Sequence, residues 1–367
     1  MSENPRALIG DILNYARDKK GVDIQHVFKK NYDIEAFHSE VEEDLRQSAE
    51  KDIGKDQLSV ETIFAYKVYT QLVFFFACTI NEIQNGPICP VHQKLVGQLT
   101  NEDVVLTFNW DTLMDRALQE CGRWNIDNGY GFTPIEVFRD GWVAPTLARP
   151  ASAPKLIKLH GSTNWITAHP ALNHASGQPY LPQRAPSDVV RVFEYATKPY
   201  STYAGQYMSG YQPFSLGYYP PNILSDLGES VEEGHLLVRA RMESPFMPEG
   251  TASSEGLPSI PLIIPPVKYK SYTLFGSLFK RLWTEAENAL AAADRIFVIG
   301  YSFPRTDTRT IELFKHAFVR RYSFPRVILV NPYPEAQEDL FINEFGISKA
   351  HLSVRKGYFD LSFSKGW

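Results

Sequence analysis

Two short polar turns, each directly after an apolar run, carry residue types that can act on a bound ligand. The first run, Val104-Val105-Leu106-Thr107-Phe108, leads into Asn109-Trp110-Asp111. The second, Lys155-Leu156-Ile157-Lys158-Leu159, leads into His160-Gly161-Ser162. An Asn amide orients a ligand without bringing charge. His titrates near neutrality and can take or give a proton. A third turn, Gly300-Tyr301-Ser302, follows the run Arg295-Ile296-Phe297-Val298-Ile299. Gly lets a backbone approach a phosphate, and the helix that follows offers N–H groups at its start. Asn331 follows Val327-Ile328-Leu329-Val330 and can hydrogen-bond a sugar hydroxyl.

Each turn alone has a plainer explanation. Asn and Asp after a strand are common turn and cap residues. A His before Gly can be an ordinary loop residue, and a lone Gly at a strand end is most often a simple turn. Four polar strand ends in one chain favour a ligand site over four unrelated turns. The type of ligand they suggest is a nucleotide lying across the edge of a sheet.

The elements that must position these turns follow from periodicity. The apolar runs at 104–108, 155–159, 295–299 and 327–330 have the length and β-branched content of buried strands. A further run, Pro261-Leu262-Ile263-Ile264-Pro265-Pro266-Val267, marks another regular segment. Helical spacing appears at about 111–120, 274–293 and 307–320. Within the second of these, Leu274, Leu278, Leu282, Ala286 and Leu290 recur at four-residue steps. Strands alternating with helices predict a parallel, doubly wound α/β sheet, whose ligands bind outside the carboxyl ends of the strands. Residues 1–57 read as charged and helical, with Leu8, Ile9, Ile12, Leu13 and Ala16 on one face. Residues 58–84 read as a buried helix, with Phe64, Val68, Leu72 and Phe75 in register. The stretch 168–258 is rich in Tyr, Pro, Gly and Ser and lacks clear periodicity, the mark of a lid, an insertion or an interface.

Composition bounds the function. The chain has 367 residues, 44% of them hydrophobic and 22% charged, which suits a globular protein with a normal core. Its formal net charge of -5 gives no global basic field, so direct nucleic-acid binding is not implied by charge. Cys78, Cys89 and Cys121 are scattered without disulfide or metal spacing, so a reduced, cytoplasmic setting and no zinc are expected. The most apolar stretch, Leu72 to Ile80, is too short to span a bilayer, so no membrane association is expected.

Thr107-Phe108-Asn109-Trp110-Asp111, Leu159-His160-Gly161, Gly300-Tyr301-Ser302 and Asn331-Pro332 resemble the sirtuin-like fold, in the order that fold uses them. Lys158-Leu159-His160-Gly161-Ser162-Thr163-Asn164-Trp165 is the most specific match. Together with Ile263-Ile264-Pro265-Pro266 it resembles the sirtuin-like NADases of bacterial anti-phage defence more than the protein deacetylases. The resemblance covers roughly 90–335. It implies a Rossmann-like parallel sheet of the sirtuin type at 91–335 with an insertion at 168–258, a helical part at 1–90 and a C-terminal segment at 336–367. A stand-alone chain of this size resembles the subunit that pairs with a HerA-type ATPase, and a homo-oligomer is expected.

What the resemblance implies for the residues is specific. Asn109 would hold the nicotinamide ribose of NAD and position a water. His160 would be the general base or polarise a ribose hydroxyl. Asp111 would support the ribose or the carboxamide end. Gly161, Gly300 and Ser302 would line the cofactor, with Gly300 and Ser302 at its phosphates. Asn331 would bind the adenosine ribose. Nicotinamide is a cationic leaving group, so its departure needs little acid assistance. The protein must orient the ribose, stabilise developing positive charge and deliver water.

Two departures shape the expectation. The cysteines of a zinc ribbon are absent, which argues against a deacylase. The opening strand and Gly-Ala-Gly-x-Ser loop of the family are not found near the start, where Pro5 to Leu13 resembles the helix that follows that loop. The resemblance then implies either a longer native N-terminus or a reduced cofactor site, with an incomplete sheet edge beside Asn109 and Gly300. The leading expectation is an NAD glycohydrolase giving ADP-ribose and nicotinamide. The alternatives are a regulatory subunit that senses NAD or ADP-ribose without turnover, and a sirtuin-type deacylase.

Overall fold

The computed structural model describes residues 34–52, 59, 61–62, 65, 80, 84, 87–139, 142–146, 153–168, 171–172, 182–183, 190–194, 259–264, 276–304, 307–364 and 366. The helical readings over 1–33, most of 58–84 with Phe64, Val68, Leu72, Phe75 and Cys78, and Pro265-Pro266 lie outside the described residues. So do Leu274 and most of 168–258.

Helix α1 (Ile34–Glu50) and helix α2 (Pro90–Gln98) precede the first strand. Strand β1 (Val104–Thr107) is followed by α3 (Leu113–Glu120), β2 (Glu136–Phe138), β3 (Trp142–Val143) and β4 (Lys155–Lys158). Then come β5 (Gly161–Ala168), β6 (Ala171–Leu172), β7 (Pro182–Gln183), β8 (Arg191–Phe193) and β9 (Ser259–Ile263). The C-terminal part runs α4 (Gly276–Ala292), β10 (Arg295–Ile299), α5 (Thr308–Val319), β11 (Arg326–Asn331), α6 (Glu335–Asp339) and β12 (Leu352–Lys356).

The result is a mixed α/β fold. The described strands form four sheets. β1 pairs in parallel with β4, and β10, β11 and β12 form a parallel three-stranded sheet. Burial separates the roles of the last three. Residues 327–330 of β11 are all buried, as a central strand requires, whereas β10 alternates with Ile296 and Val298 inward. The segment 336–367 supplies β12 and so extends this sheet.

The largest sheet was not anticipated. It is mixed, with strand order β3-β2-β8-β5-β9. The first three residues of the run expected at 261–267 fall in β9, which pairs antiparallel with β5 at the edge of this sheet among the described strands. Pro261 is tolerated there because an edge strand can leave one side of its backbone unpaired. Beneath lies an aromatic cluster: Trp165 meets Tyr130 edge-on at 5.0 Å and Phe132 at 4.9 Å.

Helix α4 buries Leu278, Leu282, Ala286 and Leu290, the stripe its four-residue spacing predicts. Each such Leu contributes roughly 1.5–3 kcal/mol by leaving water. Among the described residues β1 has β4 as its one strand partner, and β10 has β11. Each therefore keeps one edge without a described partner strand.

Candidate active site

Backbone pairing continues past the ends of β1 and β4 and seats the first two turns side by side. Leu159 N–H donates to Thr107 O at 2.9 Å, and Thr163 N–H donates to Trp110 O at 2.9 Å. The Asn109 turn therefore lies against the start of β5. Ile264 N–H donates to His160 O at 2.8 Å, which ties the His160 turn to the end of β9. Gly161 makes this possible. Its φ is +80°, and a Cβ there would stand 1.9 Å from Leu262 O. This glycine is explained by close backbone packing, and it is buried.

The third turn comes up from β10. Gly300 N–H donates to Val330 O at 3.0 Å, so the β10–β11 ladder runs one residue beyond the strand and sets Gly300 beside Asn331. Gly300 has φ +67° and open space where a Cβ would be. Phe303, three residues on, also has positive φ (51°). Left-handed backbone is unfavourable for a bulky side chain. The ring offsets that cost by packing at 5.3 Å from Phe314 and 5.6 Å from Phe341. It anchors the loop, while Gln337 Nε2 holds the Tyr301 carbonyl at 2.7 Å.

The turns meet through aromatic rings. Phe108 stacks on Tyr301 with centroids 4.2 Å apart, and it meets His160 edge-on at 5.3 Å. Trp283 of α4 lies 6.4 Å from both Phe108 and His160, and the Arg309 guanidinium covers its ring at 4.5 Å. His160 is 5% exposed, and its Nε2 sits 3.2 Å from Oδ2 of Asp307, itself 1% exposed. The same Oδ2 accepts from the Tyr301 hydroxyl at 2.6 Å.

The expected site residues fall into three groups. His160 is gathered with Phe108, Tyr301, Trp283 and Asp307 in an aromatic-walled corner at the carboxyl ends of β1, β4 and β10. Asn109 and Ser302 are exposed on their turns, and Gly300 is exposed beside half-buried Asn331. Asp111 and Asn331 also serve their own turns: Asp111 Oδ1 accepts from Leu113 N–H at 3.0 Å, and Asn331 Oδ1 accepts from Tyr333 N–H at 2.8 Å.

Below the Asn109 turn is a buried polar network that sequence reasoning missed. Lys158, fully buried, donates to the Asp111 carbonyl and pairs with Asp115 Oδ2 at 3.1 Å. The other Asp115 oxygen accepts from the Tyr130 hydroxyl. Asn164 Nδ2 donates to that hydroxyl at 3.0 Å and to Phe193 O at 3.1 Å, and Ser162 donates to Asn164 Oδ1 at 2.6 Å. Burial pushes the Tyr130 hydroxyl well above its usual range, and the neighbouring Asp115 charge adds to this. One signal was available: Lys158 follows the apolar pair Leu156-Ile157 within a run read as a buried strand, where a charge needs a buried partner. Asp307 had a weaker one, since an Asp before a helix reads as a cap.

The arrangement offers a His held by a carboxylate, an exposed amide, and a left-handed Gly at adjacent strand ends. Among the described residues no group of three or more His, Cys, Asp or Glu could hold a metal ion. Among them also, no helix is long and apolar enough to cross a membrane. Comparison with protein-family models returns no match to this chain, and comparison with curated proteins returns none.

Proposed function

We propose that this chain hydrolyses NAD to ADP-ribose and nicotinamide. The observation that carries the reading is the convergence of the Asn109, His160 and Gly300 turns at the carboxyl ends of parallel strands, joined by the Phe108–Tyr301 stack. Such strand ends are where α/β sheets hold nucleotides. In the reaction the bond between ribose C1′ and the pyridinium nitrogen breaks, and its electron pair neutralises the ring. Water adds to C1′ of the oxocarbenium-like ribose, and His160 takes the proton that the water loses. Asn109 orients the ribose and that water. Gly300 and Ser302 line the phosphates, and Asn331 takes the adenosine ribose. The finer assignment to a sirtuin-like fold, and a homo-oligomeric role beside a HerA-type ATPase in anti-phage defence, rest on the resemblance in sequence.

A second reading, sensing of NAD or ADP-ribose without turnover, draws on a specific feature. Asp111 and Asn331 each commit a side-chain oxygen to their own backbone. Incubation of the purified chain with NAD, with and without an acylated peptide, separates the possibilities. NAD consumption without peptide supports hydrolysis, peptide-dependent consumption supports deacylation, and binding without loss supports sensing. Asn109→Ala and His160→Ala are each expected to reduce turnover about 10²- to 10⁴-fold. More than about a tenth of wild-type activity in both variants refutes the assignment of these residues.

A further inference from the structure

We propose that Asp307 is a positioning residue that sets the tautomer and ring orientation of His160. The inference rests on the hydrolytic reading above, and it names a group that reading did not contain. Asp307 stands at the N-cap position of α5, where an Asp side chain ordinarily accepts from the helix's own first amides. Here it makes no such bond. The carboxylate turns away from its helix, and Oδ2 meets both His160 Nε2 at 3.2 Å and the Tyr301 hydroxyl at 2.6 Å. The Asp307 and His160 side chains are almost wholly removed from water, where a misdirected carboxylate is costly.

The backbone holds Asp307 in this pose. Its N–H donates to Pro304 O at 2.9 Å, and its carbonyl accepts from Thr310 N–H at 3.1 Å. Tyr301 is held in turn by its stack on Phe108 and by Gln337. The 301–307 loop, the His160 turn, Phe108 and Gln337 therefore agree on one position for Oδ2.

The chemical consequence is a choice between the two ring nitrogens. A carboxylate accepts hydrogen bonds and cannot donate them, so the nitrogen facing it carries the hydrogen. That nitrogen is Nε2. In neutral His160 the basic lone pair is then on Nδ1, and Nδ1 is the atom that takes the proton from the attacking water. The carboxylate also stabilises the imidazolium formed in that step, without itself becoming protonated.

The test has two independent arms. In the first, long-range proton–nitrogen correlation spectra of the full chain at pH 8 report the imidazole tautomers, with His160 assigned by loss of its signals in His160→Gln. His160 is expected as the Nε2–H form in the wild type, shifting toward Nδ1–H in Asp307→Asn. A wild-type Nδ1–H form overturns the proposal, whether or not any Asp307 variant folds. In the second, Asp307→Asn is expected to lower kcat about tenfold or more while KM moves less than about threefold, with Asp307→Glu restoring part of the loss. If Asp307→Asn lowers the urea midpoint but leaves tautomer and kcat unchanged, Asp307 is only a structural latch and the proposal fails. If the wild type does not consume NAD, the hydrolytic reading fails, and the spectra still decide what Asp307 does to His160.

Discussion

Lys158→Met tests whether the buried network beneath the Asn109 turn holds that turn in place. The substitution keeps an unbranched side chain of similar length but removes the ammonium. Asp115 then loses its partner at 3.1 Å and remains a carboxylate shut away from water, with the Tyr130 hydroxyl still donating to it. The Asp111 carbonyl loses its donor as well. Removing one partner of a buried pair costs about 3–5 kcal/mol, because the other charge is left uncompensated. With a urea dependence of about 3 kcal/mol per molar, the unfolding midpoint should fall by about 1 to 1.7 M. The double variant Lys158→Met with Asp115→Asn removes both charges and keeps an oxygen for Tyr130. It should recover at least half of the loss, since a buried ion pair as a whole adds little net stability. Hydrogen exchange across 105–115 should rise in the single variant. A midpoint shift below about 0.3 M, or a double variant at the sum of the two singles, would refute the reasoning.

Other perturbations separate packing from ligand binding and from protonation. Gly161→Ala should cost more than about 3 kcal/mol, because left-handed backbone strain of about 1–2 kcal/mol is joined by a clash with Leu262 O. Gly300→Ala meets open space and should cost the strain alone, about 1–2 kcal/mol, which the same urea titrations will compare. Burial lowers His38 to about 3 and raises half-buried Glu42 to about 7, the nearby Glu43 adding to the latter. The His38 effect makes stability fall as pH drops below 6.5, and the Glu42 effect makes it fall as pH rises above 4.5, so between these values the two slopes cancel. Glu42→Gln should expose the His38 slope, with stability falling by about 1.4 kcal/mol per pH unit from 6.5 down to 4.5 relative to wild type, and parallel curves would exclude it.

Local pattern alone located the strand–turn units that carry chemistry. The runs at 104–108, 155–159, 295–299 and 327–330 are strands in the structure, because a buried strand needs only a short β-branched stretch ended by polar residues. The stripe of α4 was legible for a similar reason: one helical period decides which side chains are buried. The parallel pairing of β1 with β4 and of β10 with β11 also follows the reading, whereas the five-stranded mixed sheet does not. Its strands β2, β3 and β8 are only two or three residues long, and so short a segment carries no periodicity to read.

Within the site, His160 was visible because a strand end presents it, and Asp307 was not visible as its partner. Nothing near Asp307 in the chain distinguishes a carboxylate that caps its own helix from one that turns toward a distant imidazole. That choice is made by packing: Phe108 against Tyr301, Phe303 in its phenylalanine cluster, and the backbone bonds that bring Asp307 to His160. The same holds for Lys158, whose place beside Leu156-Ile157 in a buried strand signals a need for a partner without saying that Asp115 and the Asp111 carbonyl meet it. Gly161 shows the reverse, since a residue read as lining a ligand is required by the approach of the β9 backbone. The sequence by itself determined which residue types stand at the strand ends. The tertiary structure alone decided which of them touch, because hydrogen bonds and ring contacts between distant segments depend on a register that no local spacing encodes.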